Sequence, residues 1–388
     1  MSGAVPASIL MTPTEPPSPP LARIPPDILC AQDYEALAPR FIAPGAHAYI
    51  AGGSGDESTL RANLEAFASV RILPRLLREL TTGHTRLELF GRRLRHPIVL
   101  APLAFQTLAH PHGELDTARA AQATDSCLVA STLSAFPLEE IARHNRGENW
   151  FQLYFQPLRE ATLDLVRRAE AAGYAAIVVT LDAAVQSPSR RALRAGFRLP
   201  PDLAPANLRA HPRPAQVTLP AGQSLIFQGL MREAPTWADL DWLLAQTRLP
   251  VLVKGVLRAD DAGALKARGV AGLIVSNHGG RSLDGVPASL AALPRIRAAV
   301  GPDYPLLLDS GIRSGTDVFR AIALGADAVL VGRLQAYALA VAGALGVAHM
   351  LKLLREELEL CMALSGCVTL ADIDADAVAF PASLESPC

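Results

Sequence analysis

Little in this chain points to charge-driven, thiol or membrane chemistry. Lysine plus arginine (36) and aspartate plus glutamate (37) nearly cancel to a formal net charge of −1. No strong field is therefore available to draw in nucleic acid or an anionic membrane. The five cysteines (Cys30, Cys127, Cys361, Cys367 and Cys388) are odd in number, scattered, and without close metal-ligand spacing. That argues against a disulfide framework, offers no metal site, and fits a reducing cytoplasm. Cys361 and Cys367 read as helix-packing residues. No apolar run approaches bilayer length, and the N-terminus lacks the basic start and apolar core of a signal peptide.

Half of the 388 residues are hydrophobic, enough for one large domain or two ordinary ones. Residues 1–26 are proline-rich and read as a disordered or extended tail. Ordered structure is expected from Asp27, with a short helical stretch through Asp33–Leu37. The segment Pro44–Glu57 brings glycines close to Tyr49. Asp56 or Glu57 then favours the start of a helix through Asn63 and Phe67.

From residue 97 short apolar runs recur at 98–101, 127–130, 150–154, 176–181, 250–253, 272–275, 305–308 and 328–331. Helical patterns such as Ala161–Glu170 and Thr316–Leu324 lie between most of them. Eight strands alternating with helices predict a closed (β/α)8 barrel of the TIM type over residues 27–375. A doubly wound open sheet would place a glycine-rich turn after the first strand, and Ala101–Gln106 is not one. One gap interrupts the rhythm. Residues 183–249, rich in proline with Leu225–Phe227 as an apolar island, read as a long mobile loop over the barrel mouth. A helical pattern from Val347 to Leu364 and a tail at 376–388 close the chain.

In such a barrel chemistry gathers at the C-terminal ends of the strands. Those ends carry Ala101, Pro102 and Ala104, then Ser131, then Gln152 and Tyr154, then Thr180 and Asp182. The second half supplies Lys254, Ser276 with His278, Asp309 with Gly311, and Gly332 with Arg333. The run Leu273–Arg281 is the most telling, because a buried strand stops on an imidazole and a guanidinium three residues apart. His278 can take a proton near neutral pH, and Arg281 can hold a carboxylate in its planar fork. A lone histidine at a strand end is more often structural, so the case rests on the whole set. Arg313 and Arg333 follow the last two strands, where barrels commonly bind phosphate. Lys254 ends a buried strand and either reaches the rim or neutralises a negative charge. Asp182, if close to His278, would orient the imidazole and favour its protonated form.

Ser276–Arg281, Leu252–Gly255, Asp309–Asp317 and Ala51–Leu60, in that combination, resemble the FMN-dependent 2-hydroxy-acid oxidases and dehydrogenases, the group of glycolate oxidase, lactate oxidase and mandelate dehydrogenase. The similarity spans about Asp33 to Leu370. The resemblance implies FMN as cofactor, a small-molecule substrate and a homo-oligomer, with homotetramers common in the family. It casts His278 as the base, Asp182 as its partner, Tyr154 beside the substrate oxygen, and Arg281 and Tyr49 as carboxylate ligands. Lys254 resembles the lysine beside flavin N1, and Ser131, Gln152 and Thr180 resemble contacts to the ring edge. Ala101, Pro102 and Ala104 resemble the strand beneath the ring; Asp309, Arg313, Gly332 and Arg333 resemble the ribityl and phosphate site.

Three departures bear on the substrate. Most members have a glycine, any residue and then an arginine soon after the fourth strand, and that arginine also binds the carboxylate. Here Ser187-Pro188-Ser189 stands there with Arg190 and Arg191 just beyond, so Arg190 is expected to swing in as the replacement. Leu133 takes the place of a bulky aromatic, and Leu103 and Ser310 replace a common threonine and glycine. Ala104 leans towards the oxidases. The expected reaction is oxidation of a 2-hydroxy acid larger than glycolate, aromatic acids included. Alternatives are the same flavin chemistry on a modified peptide or amine, a flavin-bound isomerase, or a barrel that has lost activity.

Overall fold

The computed structural model describes residues 16–211 and 219–380. Three helices, α1 (Ala31–Leu37), α2 (Pro44–Ala51) and α3 (Ser58–Ser69), precede eight parallel strands. The strands are β1 (Ile98–Leu100), β2 (Leu128–Ser131), β3 (Asn149–Leu153), β4 (Ala176–Thr180), β5 (Val251–Val256), β6 (Gly272–Val275), β7 (Leu306–Leu308) and β8 (Ala328–Val331). Each pairs with the next in sequence, and β8 returns to β1 with Val329 opposite Ile98, so the sheet closes into a barrel. This is the (β/α)8 architecture expected from the rhythm of apolar runs.

Alternation along each strand divides the apolar side chains between two cores. Val99, Val129, Trp150, Val178, Leu252, Ile274, Leu307 and Leu330 fill the barrel interior. Their neighbours Leu100, Leu128, Phe151, Val179, Val253, Leu273, Leu308 and Val331 face outward into the helix layer. The interior is thus a packed core and not a pore. A hairpin of Leu87–Leu89 and Arg92–Leu94 covers its N-terminal end. Phe90 at the hairpin's turn meets the Trp150 ring edge-on at 5.7 Å.

The ends of the chain differ from expectation. Residues 16–26 carry no helix or strand, but they are docked. The Ser18 N–H donates to Arg40 O at 2.8 Å, the Leu21 N–H donates to Val341 O at 2.7 Å, and Leu21 and Ile24 pack on the core. Proline content disfavours helix and strand there, yet backbone donors and two apolar side chains suffice to tether the segment. Residues 1–15 and 381–388 lie outside the described residues. Within the expected C-terminal tail, Val378–Ala379 pairs antiparallel with Arg71–Ile72.

The segment between β4 and β5 has its own elements in place of a plain loop. It includes α4 (Arg190–Arg194) and α5 (Trp237–Leu244), with Ser189 and the Thr236/Asp239 pair as their N-terminal caps. Residues 212–218 of this segment are outside the described set. The closing helix is longer than its sequence pattern, Arg333–Ser365, and breaks at Ala342 and Gly343. By length and composition it alone, among the described residues, could cross a membrane. Two-thirds of its most apolar window (67%) is instead buried inside the fold.

Candidate active site

The inward register of the strands does not stop where the sheet ends. Carried two residues further, the interior positions become polar or small. Trp150 leads to Gln152 and Tyr154, Val178 to Thr180, Leu252 to Lys254, Leu307 to Asp309, and Leu330 to Gly332. These residues line one cavity of about 1240 Å³, counting its open mouth, at the C-terminal end of the barrel. Ala101, Pro102, Ala104, Ser131, His278, Gly311, Arg313 and Arg333 also line it, as do Tyr49 and Arg281.

At its centre the His278 Nδ1–H faces Asp182 Oδ1 at 2.8 Å. With Nδ1 engaged as donor, Nε2 carries the imidazole's free lone pair. Lys254 lies 3.1 Å from Asp309 Oδ2 and 3.9 Å from Asp182 Oδ2. Burial opposes the ammonium, but Asp309 and then Asp182 outweigh it and raise the Lys254 pKa. Burial likewise works against the Asp182 carboxylate, and Lys254 and His278 reverse it, so the Asp182 pKa is lowered. Burial of the Tyr154 hydroxyl, only partly offset by Lys254, pushes its phenol up to about 12. Near neutral pH the centre therefore holds a charged lysine, an ionised aspartate and a neutral tyrosine.

Two of the strand-end residues, Asp182 and Ser276, stand behind the cavity wall, Asp182 against the His278 imidazole. Ser276 has a supporting place. It does not reach the cavity; its Oγ accepts from Lys254 Nζ at 2.8 Å and from the His278 N–H at 3.0 Å. It positions two residues that do. Alternation explains the placement of neither His278 nor Arg281, because the backbone turns over at φ +59 on His278 and continues through Gly279 and Gly280. A Cβ on Gly280 would lie 2.7 Å from Leu60 N, so α3 can approach this turn only where a glycine stands.

The cavity has the chemistry to hold a flavin mononucleotide. Gln152 Nε2 and Thr180 Oγ1 are buried polar atoms with no protein partner. Ser131 Oγ and the Thr132 N–H both donate to Gln152 Oε1, which leaves Nε2 as a free donor towards the cavity. Buried polar atoms are ordinarily satisfied, so these two fit the edge of a polar ring. At the other end Arg333 and Arg313 stand close together. Burial, then Arg281 and Arg313, push the Arg333 guanidinium down to about 9. A buried cation cluster of this kind calls for an anion, and a terminal phosphate supplies one. Arg333 is meanwhile held by the carbonyls of Ile50, Gly52 and Gly279, and Arg313 by Glu35 at 2.6 Å.

The substrate end departs from expectation at Arg190. Its guanidinium pairs with Asp56 and is exposed, outside the cavity. Arg191 pairs in the same way with Glu57. Two carboxylates at the start of α3 take both cations, which an isolated reading of the loop could not anticipate. Arg281 does reach the cavity. Its Nη1 donates to the carbonyls of Tyr49, Ile50 and Gly52, and its guanidinium lies over the Tyr49 ring at 4.7 Å. Phe197 also stacks on the Tyr49 ring, with centroids 4.5 Å apart.

Several supporting residues carry no local signal. Asp284 accepts from the Asp56 N–H, Ser58 Oγ and the Thr59 N–H, tying the loop after His278 to the start of α3. Asn63 and Asn277 exchange side-chain hydrogen bonds beneath it. Gln186, on the loop after β4, lines the cavity and was not anticipated either. Away from the barrel mouth His110, His112 and Asp116 bring possible ligand atoms within 4.8 Å of one another. The His112 N–H occupies His110 Nδ1, and Arg119 holds Asp116 Oδ1, so the group is satisfied as a polar network.

The family model described as FMN-dependent dehydrogenase matches residues 38–380. An L-lactate oxidase of Alicycliphilus denitrificans is 64% identical over 357 residues, covering 92% of this chain and 98% of that protein. Glycolate oxidase 1 of Zea mays is 40% identical over 348 residues, 89% of this chain and 94% of its own. Among solved structures, mandelate oxidase with (S)-2-phenylpropionate matches with a TM-score of 0.81 at 42% identity, covering 89% and 96% of the two chains.

Proposed function

The chain belongs to the FMN-dependent dehydrogenase family and oxidises a 2-hydroxy acid with FMN as its redox group; within that activity we propose L-lactate as the substrate and oxygen as the electron acceptor. The 64% identity to an L-lactate oxidase across nearly the whole of both chains carries the choice. When bound, FMN would supply the acceptor for the hydride on the carbon that bears the substrate hydroxyl.

The protein's own groups do the rest. His278 Nε2 takes the hydroxyl proton, and Asp182 stabilises the imidazolium that results. Tyr154, neutral at working pH, donates a hydrogen bond to the substrate oxygen. Arg281 holds the carboxylate through the nitrogens not engaged by backbone carbonyls, with Tyr49 beside it. Lys254 would offer the cofactor a fixed positive charge from the cavity wall, suited to stabilise negative charge gained on reduction. Ser131, Gln152 and Thr180 would hold the polar ring edge, over a floor of Ala101, Pro102 and Ala104. Asp309, Gly311, Arg313, Gly332 and Arg333 would hold the ribityl chain and phosphate.

A larger substrate is the second reading, favoured by Leu133 and Leu103 on the cavity wall and by the mandelate oxidase match. Anaerobic mixing of the yellow holoenzyme with L-lactate, glycolate and mandelate separates the two. L-Lactate is expected to bleach the flavin fastest. Faster bleaching by mandelate would favour the larger acid, and no bleaching by any of the three would overturn the activity. We also propose a cytoplasmic homo-oligomer, a homotetramer by analogy with the family, which light scattering on the purified protein tests.

A further inference from the structure

We propose that Gln186 is the second ligand of the substrate carboxylate, so that this enzyme holds its acid with one guanidinium and one neutral amide. The proposal rests on the 2-hydroxy-acid reading above and specifies how that acid is recognised.

Three observations lead to it. First, of residues 183–194 only Gln186 lines the reaction cavity. The loop's two nearest cations are engaged by Asp56 and Glu57, and Ser189 caps the Ala192 N–H of α4. Second, Gln186 stands in the wall where the reaction cavity meets a neighbouring cavity of about 610 Å³. Tyr49, Gln186 and Arg281 line both. An acid in the reaction cavity with its carboxylate on Arg281 therefore has the Gln186 amide within the same wall. Third, the groups needed are free. Arg281 commits Nη1 to three carbonyls, while its Nε and Nη2 have no protein acceptor among the described residues. The Gln186 amide makes no hydrogen bond within the described protein and is exposed on its loop.

The chemical consequence concerns charge. A carboxylate offers about four acceptor sites, and a single guanidinium edge fills two of them. An amide N–H₂ can donate to a third, but it attracts the negative charge far less than a second guanidinium would. Its carbonyl can also turn to accept from a ligand N–H. The subsite should therefore discriminate only moderately between a 2-hydroxy acid and its uncharged carboxamide. An arginine at this position would sharpen that discrimination.

The test uses the FMN-loaded full-length enzyme and its variants Gln186→Ala, Gln186→Glu and Gln186→Arg. Pyruvate is titrated into the oxidised protein while the visible flavin spectrum is followed, and flavin reduction by L-lactate and by lactamide is measured without oxygen. Loss of one hydrogen bond to a charged group should weaken pyruvate binding about tenfold in Gln186→Ala. The limiting rate of reduction should change by less than about threefold, because the amide binds ground state and transition state alike. Gln186→Glu should weaken binding on the order of a hundredfold or more, by facing one carboxylate with another. Gln186→Arg should bind pyruvate at least as tightly as wild type and raise the preference for lactate over lactamide. The substituted side chain is on an exposed loop, and an unchanged flavin spectrum and FMN content verify that each variant is folded. Pyruvate binding by Gln186→Ala within twofold of wild type overturns the proposal, as does an unchanged acid-to-amide preference in Gln186→Arg. Failure of the substrate reading looks different: wild-type flavin then stays oxidised with every 2-hydroxy acid, whatever the pyruvate titrations give.

Discussion

His278 Nδ1 and Asp182 Oδ1 lie 2.8 Å apart although 96 residues separate them in the chain. The contact joins the ends of β4 and β6, which are not neighbours in the barrel, across the strand that carries Lys254. Gly255 makes room for it. A Cβ there would sit 2.5 Å from Asp182 Cβ, and the backbone adopts φ +107. One carboxylate thus orients the imidazole and neighbours the ammonium, while Asp309 takes the larger share of the lysine's charge at 3.1 Å.

His278→Gln is expected to retain FMN, since no ring-edge or phosphate group is touched. The limiting rate of flavin reduction by L-lactate should fall by a factor of order ~10² or more, the scale of a general base. Stopped-flow reduction without oxygen measures it. A variant that bleaches as fast as wild type places the base elsewhere.

Arg190→Ala should change KM for L-lactate by less than about twofold. The side chain pairs with Asp56 at the surface, and exposed pairs typically contribute between about 0.2 and 1 kcal/mol to stability. Steady-state oxygen consumption decides the matter. A rise in KM of tenfold would mean that Arg190 leaves Asp56 for the substrate.

Arg333→Met should weaken FMN binding by roughly ten- to a hundredfold, the loss of a charge-assisted hydrogen bond to the phosphate. In the apoprotein, relief of repulsion from Arg281 and Arg313 opposes the loss of the hydrogen bonds to Ile50, Gly52 and Gly279, so FMN affinity is the readout. Fluorescence of FMN released on dilution reports the affinity. Unchanged retention of FMN would move the phosphate away from this arginine.

His96 makes acid stability a further test. It is buried at 3% exposure, with Nε2 against Ser126 Oγ at 3.1 Å. Burial, then the neighbouring Arg355 and Arg95, lower its pKa to about 4. The unfolded chain binds the proton near pH 6.5, so stability is lost as pH falls from about 6.5 towards 4 and is unaffected above. The full effect is roughly 3 kcal/mol. In His96→Gln the drop in urea midpoint between pH 7.5 and pH 5 should be smaller than in wild type. An equal drop in both proteins would show that His96 titrates normally in the fold.

The barrel and the polar ring at its mouth were legible in the linear sequence because both follow from a period of two. Apolar runs at regular spacing specified eight strands, and alternation carried the inward face from Trp150 to Gln152 and Tyr154, and from Leu252 to Lys254. That rule is local and survives without knowledge of the fold. It misplaced Ser276, which ends beneath Lys254 and His278 rather than on the cavity. The loop after β4 has no period, and its side chains choose partners by proximity alone. Arg190 and Arg191 find Asp56 and Glu57, each 134 residues away in sequence, while Gln186 is left facing the cavity. Only tertiary structure could decide this, because the attraction between a guanidinium and a carboxylate depends on their separation in space, which the packing of α3 against the barrel mouth sets.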